Sequence, residues 1–137
     1  MARFEIPLTD ELEEIIKDLK NIDAVAPRML KAAAPIAQDA IKKRLTAYQR
    51  TGALAKSVKA RKPKKGKNGG WFLTIDFVGT DKDGSPNVVK AAGLEYGNSH
   101  QQPTPFMEAA ARDCEEAVVD AMQAAYDLYL AEKELRG

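Results

Sequence analysis

From Trp71 to Val78, the residues Trp71, Leu73, Ile75 and Phe77 alternate with Phe72, Thr74, Asp76 and Val78. A period of two is that of a strand with one buried face, and this is the clearest strand in the chain. Elsewhere the period is helical. Leu12, Ile15, Ile16 and Leu19 form one stripe behind Thr9-Asp10-Glu11, whose oxygens suit a helix start, so a first helix is predicted over about 9–20. Asn21-Ile22-Asp23 is expected to interrupt it. A second stripe, Met29, Leu30, Ala33, Ala37, Ala40, Ile41, Leu45 and Tyr48, predicts a helix from about 27 to 49, opening near Pro27. Pro35 lies inside that stripe without an amide proton, and a kink or break is expected there.

Gly52 is read as the end of this helix, with Leu54 and Val58 plugging the corner into the core. Lys59 to Gly70 then reads as a strand start followed by an exposed loop, marked by Pro63 and the glycines. Residues 80–87 are a turn by composition. Val88 to Tyr96 fits either a strand or a short helix leading into one. Pro103 and Pro105 precede a final helix over about 105–134, whose buried side is assigned to Phe106, Ala109, Ala110, Ala117, Ala121, Ala124 and Leu128. At 1.5 Å per residue it runs about 45 Å. A single small domain does not cover that length, so Tyr126 to Leu130 is expected to project toward a neighbouring subunit, and Tyr126 and Tyr129 become candidate interface residues.

The 137 residues fit one domain over 1–137, 45% hydrophobic and 30% charged. No apolar run approaches the roughly 20 residues that span a bilayer, and the first residues lack the apolar core of a signal peptide. A cytoplasmic site of synthesis without a membrane partner is therefore expected. The net charge of +1 conceals segregation. Residues 1–25 carry a net −4, 26–70 a net +12, 71–107 a net −2 and 108–137 a net −5. A chain with a cationic middle and anionic ends can bind an anionic partner or copies of itself.

Catalytic chemistry finds little support. The one histidine, His100, is adjacent to Ser99 and badly placed to act as its base. The one cysteine, Cys114, allows no intrachain disulfide, and one His with one Cys is too few for a structural zinc site. Gly66-Lys67-Asn68-Gly69-Gly70 is too short for a phosphate-binding loop and reads as a hairpin tip. Asp81-Lys82-Asp83-Gly84-Ser85 lacks most ligands of a calcium loop. No catalytic, cofactor or metal site is expected. The one cluster with functional character is Lys56, Lys59, Arg61, Lys62, Lys64, Lys65 and Lys67. Three readings stay open for it: a solvated loop, a contact to an acidic protein surface, and a nonspecific nucleic-acid contact. No aromatic residue lies among these lysines to stack bases.

Two short corners carry a family likeness. A long helix runs into Arg50-Thr51-Gly52-Ala53-Leu54, and a hairpin follows. Then comes Ala91-Ala92-Gly93-Leu94-Glu95-Tyr96-Gly97, and Pro105-Phe106-Met107 opens the last helix. This order resembles the head–tail joining (neck or tail-completion) family of lambda-like siphophages and their prophages, over roughly residues 10–125. The resemblance implies an α+β fold: an antiparallel sheet of about three to four strands packed against a long helix in the N-terminal half and a long C-terminal helix. It implies a structural virion protein without enzymatic activity or cofactor. That protein would be a homo-oligomer, a hexameric ring between the portal-capped head and the tail tube, contacting other connector and tail-tube proteins while DNA passes through. It would be found in the virion, and in the host cytoplasm during assembly. Gly52, Leu54, Gly97, Pro105 and Phe106 would be the fold corners, with Glu95 and Tyr96 on the candidate subunit interface. The alternative is a small nucleic-acid-binding module using residues 56–67.

Overall fold

The computed structural model describes residues 4–7, 22–47, 52–80, 84–100 and 102–135. Its elements are β1 (Phe4–Pro7), α1 (Ile22–Thr46), α2 (Gly52–Lys56), β2 (Val58–Ala60), β3 (Lys64–Lys65), β4 (Trp71–Phe77), α3 (Asn87–Tyr96) and α4 (Phe106–Leu135). The fold is α+β, with an antiparallel sheet and two long helices. The helix predicted over 9–20 lies outside the described residues.

Strand β4 is the centre of the sheet, flanked by β1 on one edge and by β2 and β3 on the other. On the inner face Leu73, Ile75 and Phe77 are buried and Trp71 is half-buried, as predicted, but on the other face Thr74 is also buried and Phe72 half-buried. Phe4 and Ile6 of β1 lie opposite Ile75 and Leu73 and extend that face. On the other edge, Ala60 faces Ile75 and Lys64 faces Phe72. Four steps on one strand therefore oppose three on the other, which is a bulge. Pro63 sits inside it, where its missing N–H leaves no ladder position unpaired.

The inner face packs on α1, and α1 packs along α4 as the largest helix–helix contact. Arg28–Glu132 and Arg44–Asp113 bridge opposite ends, so the two helices run antiparallel. Helix α1 buries Val25, Met29, Ala33, Ala37, Ile41 and Leu45, each four residues from the last. Helix α4 buries Phe106, Ala110, Cys114, Met122 and Tyr126 on the same four-residue row, with Val118 and Leu130 of that row half-buried. Rows of this spacing form the ridges that interlock between packed helices. The alanines of α1 let the backbones approach.

Three expectations change, and one open choice, strand or helix over 88–96, falls to the helix. Helix α1 begins at Ile22, so Ile22 and Asp23 open the helix instead of interrupting the chain, and it runs through Pro27 and Pro35 without ending. Pro35 is exposed, as is Lys31, whose carbonyl loses its helical partner, so water can satisfy that carbonyl. Gly52 starts the short helix α2 rather than closing α1. The segment 87–96 is a helix. Finally, Ala117, Ala124 and Leu128 of α4 are exposed and Tyr126 is buried, because the contact with α1 follows the four-residue row and not the mixed spacing assigned from sequence. The end of α4 does not project. The early start of α1 brings Arg28 against Tyr129 and Glu132 near that end.

Candidate assembly interface

The first corner turns α1 into the sheet. Leu54 and Val58 are buried, as expected for plugs. The Ser57 hydroxyl donates to the Leu54 carbonyl at 2.6 Å and closes the end of α2. Val78 N–H donates to Ser57 O at 2.9 Å. The Gln38 side chain of α1 donates to Val58 O at 3.0 Å. Helix and sheet are thus tied together at the base of the cationic hairpin.

The second corner joins α3 to α4. Gly97 ends α3 with φ 76° and ψ 171°, a conformation nearly restricted to glycine. Its N–H donates to Gly93 O at 2.9 Å, and Thr104 N–H donates to Leu94 O at 2.6 Å, so two terminal carbonyls of α3 are satisfied. The reverse tie comes from Glu95. It is only 8% exposed, and its carboxylate accepts Met107 N–H at 2.7 Å and Glu108 N–H at 3.4 Å. A buried acid at the end of one helix therefore caps the start of the next, where orphan N–H groups and the helix dipole favour negative charge. Phe106, fully buried behind Pro105, meets Phe77 edge to face at 5.8 Å and anchors the corner to β4.

Glu95 and Tyr96, adjacent in sequence, part company here. Glu95 is spent inside the chain, whereas Tyr96 is 66% exposed. Tyr126 is buried, and Tyr129 is half-buried beneath the Arg28 guanidinium, 5.6 Å from its ring centre. Of the four candidate interface residues, Tyr96 has the most open side chain.

All seven candidate cations are exposed, six on the hairpin and Lys56 at the end of α2. Two are engaged: Arg61 Nε lies 2.8 Å from Asp76 Oδ2, and Lys65 Nζ lies 3.1 Å from Asp23 Oδ1. The Asp23 carboxyl also accepts the Trp71 indole N–H at 3.0 Å. These two donors, Trp71 first, hold Asp23 below the usual carboxylate range and fasten the base of the hairpin to the start of α1. Lys56, Lys59, Lys62, Lys64 and Lys67 make no salt bridge within the described residues.

His100 and Ser99 sit on a shallow hollow with Tyr96, Gly97, Asn98 and Pro103. It contains no acid to orient the histidine. Cys114 is buried in the helix contact, and that burial raises its thiol pKa. Among the described residues no group of three His, Cys, Asp or Glu could hold a metal ion, and no helix is long and apolar enough to cross a membrane.

Residues 8–97 match the family described as "Bacteriophage HK97-gp10, putative tail-component". That span is 90 of 137 residues, and the chain belongs to this family of phage tail components. The head–tail joining likeness drawn from the two corners agrees with it. No curated protein and no solved structure matches the chain. The matched span ends at Gly97, so it takes in both glycine corners and the hairpin, while α4 lies beyond it.

Sequence reasoning missed the capping role of Glu95. The available signal was a lone acid between apolar residues just before a glycine. A buried carboxylate needs donors, and the nearest free ones belong to the helix that opens after Pro105.

Proposed function

We propose that this tail component is a structural virion protein that closes into a ring, six-fold by the family resemblance, at the junction of head and tail. It works by surface association and carries out no reaction. The observation that supports this most is the cationic segment 56–67, five of whose seven cations have no salt bridge within the described residues. A charged arm of that kind directs a subunit onto an acidic neighbour. A head-to-tail contact between two different patches generates a ring when the rotation closes. Glu95 and Phe106 keep the corner rigid, and Tyr96 beside it supplies an exposed aromatic of the kind that anchors interfaces. Further partners are the other connector proteins and the tail-tube subunit. The test is light scattering on the full chain at high concentration, alone and mixed with tail-tube subunits. A discrete ring mass is expected. A strict monomer under both conditions would reject the reading.

The same cations favour a second reading, a nonspecific nucleic-acid contact by residues 56–67. Its mark is an affinity for duplex DNA that falls steeply with salt. Charge reversal at Lys62, Lys64 and Lys67 that leaves DNA affinity unchanged would remove it.

A further inference from the structure

Helix α4 has an outward face with no partner among the described residues. Ala124, Leu128, Ala131 and Leu135 are exposed along it at spacings of four, three and four, which places them on one side. Leu128 is 62% exposed and Leu135 89%. Glu116, Asp120 and Asp127, also exposed, run beside that stripe at spacings of four and seven. They make no salt bridge within the described residues. At its start the face borders a shallow groove of about 300 Å³ between the long helices, whose lining includes Ile36, Ala40 and Ala117 and the charged Asp39, Lys43 and Asp113. Among the described residues, one copy of the protein thus exposes an acidic and apolar face on α4 and a basic hairpin on the far edge of the sheet, neither neutralised by salt bridges along its length.

We infer that the outward face of α4 is the seat for the cationic hairpin of a second copy of this chain. The inference rests on the ring reading above and names its two complementary surfaces. Charge complementarity selects the occupant, since the hairpin is the chain's densest run of bridge-free cations. The spacings agree. Lys62 and Lys64 lie about 6.6 Å apart along an extended chain, and Glu116 and Asp120, one helical turn apart, are separated by about 6 Å. The aliphatic stems of the lysines would cover Leu128 and Ala124 while their ammonium groups reach the acids. Because hairpin and helix face are different patches, each copy offers one and accepts the other, the arrangement that propagates around a ring.

The test is sedimentation velocity on the full chain at low salt, and again at about 1 M salt, where screening falls to about 3 Å. One variant carries Lys62→Glu with Lys64→Glu; another carries Glu116→Lys with Asp120→Lys; a third combines all four. All four positions are exposed, so circular dichroism should report the natural fold. Each charge-reversed pair is expected to weaken self-association at least about tenfold, and the combined variant to recover most of it. Assembly that persists in both reversed pairs would overturn the inference and leave the ring reading standing. Loss in the hairpin variant without recovery in the combined one would also overturn it, directing the hairpin to another protein or to DNA. No self-association of the natural chain at any concentration would overturn the inference and the ring reading together.

Discussion

Replacing Glu95 by alanine should loosen the corner between α3 and α4 more than any exposed substitution. Its carboxylate is the acceptor for Met107 N–H at 2.7 Å and Glu108 N–H at 3.4 Å, and Met107 is itself buried, so water does not readily replace it. Leaving a buried donor unsatisfied costs about 1–3 kcal/mol. The one buried methylene removed adds about 0.8 kcal/mol. Relief of the desolvated charge offsets part of this, for a net loss of about 2 kcal/mol. Glu95→Gln keeps the bulk and one acceptor, and should cost about 1 kcal/mol. With about 2.1 cal/mol/K of unfolding entropy per residue, this chain shifts its Tm by about 3.5 °C per kcal/mol, so by about 7 °C for Glu95→Ala. The assay is urea and thermal unfolding by circular dichroism at one fixed protein concentration, because association alters apparent stability. A Glu95→Ala variant within about 0.5 kcal/mol of the natural chain, inside the range of ordinary surface substitutions, would refute the capping argument.

Gly97→Ala places a Cβ at φ 76° and ψ 171°; it should cost about 1–3 kcal/mol in urea unfolding, and an unchanged midpoint would count against the strained corner. Arg44 donates to both oxygens of Asp113 at 2.5 and 2.7 Å and holds its carboxyl below the usual range. A depressed folded pKa contributes stability that is present above the unfolded value near 3.8 and is lost as pH falls through the folded one. Arg44→Met should therefore flatten that acid limb of the stability profile, and an unaltered limb contradicts the pairing. Cys114, buried with its thiol pKa raised, should react with iodoacetamide at mildly alkaline pH far more slowly than in urea, and equal rates would contradict its burial.

Strand β4 was legible because its period of two is strict and its inward positions are large. The length of α4 was legible from its uninterrupted helix formers after Pro105. Its facing was not. An alanine-rich helix offers several stripes of similar apolarity, and only the ridge of α1 selects the row through Cys114, Met122 and Tyr126. The start of α1 was misread because Asn21-Ile22-Asp23 resembles a break by propensity, whereas Asp23 gains Trp71 and Lys65 as partners in the fold. At the candidate interface, the hairpin cations were legible from charge density alone. The separation of Glu95 from Tyr96 was not, because it depends on where a helix twelve residues later begins. The acidic face of α4 could be named only once the α1 contact had fixed which side is outward.

The joining role proposed for this tail component is tested most directly by electron microscopy of particles assembled without it. Filled heads and finished tails that accumulate unjoined, and join when the purified protein is added back, are the predicted result. Intact, infectious particles that lack the protein would contradict it.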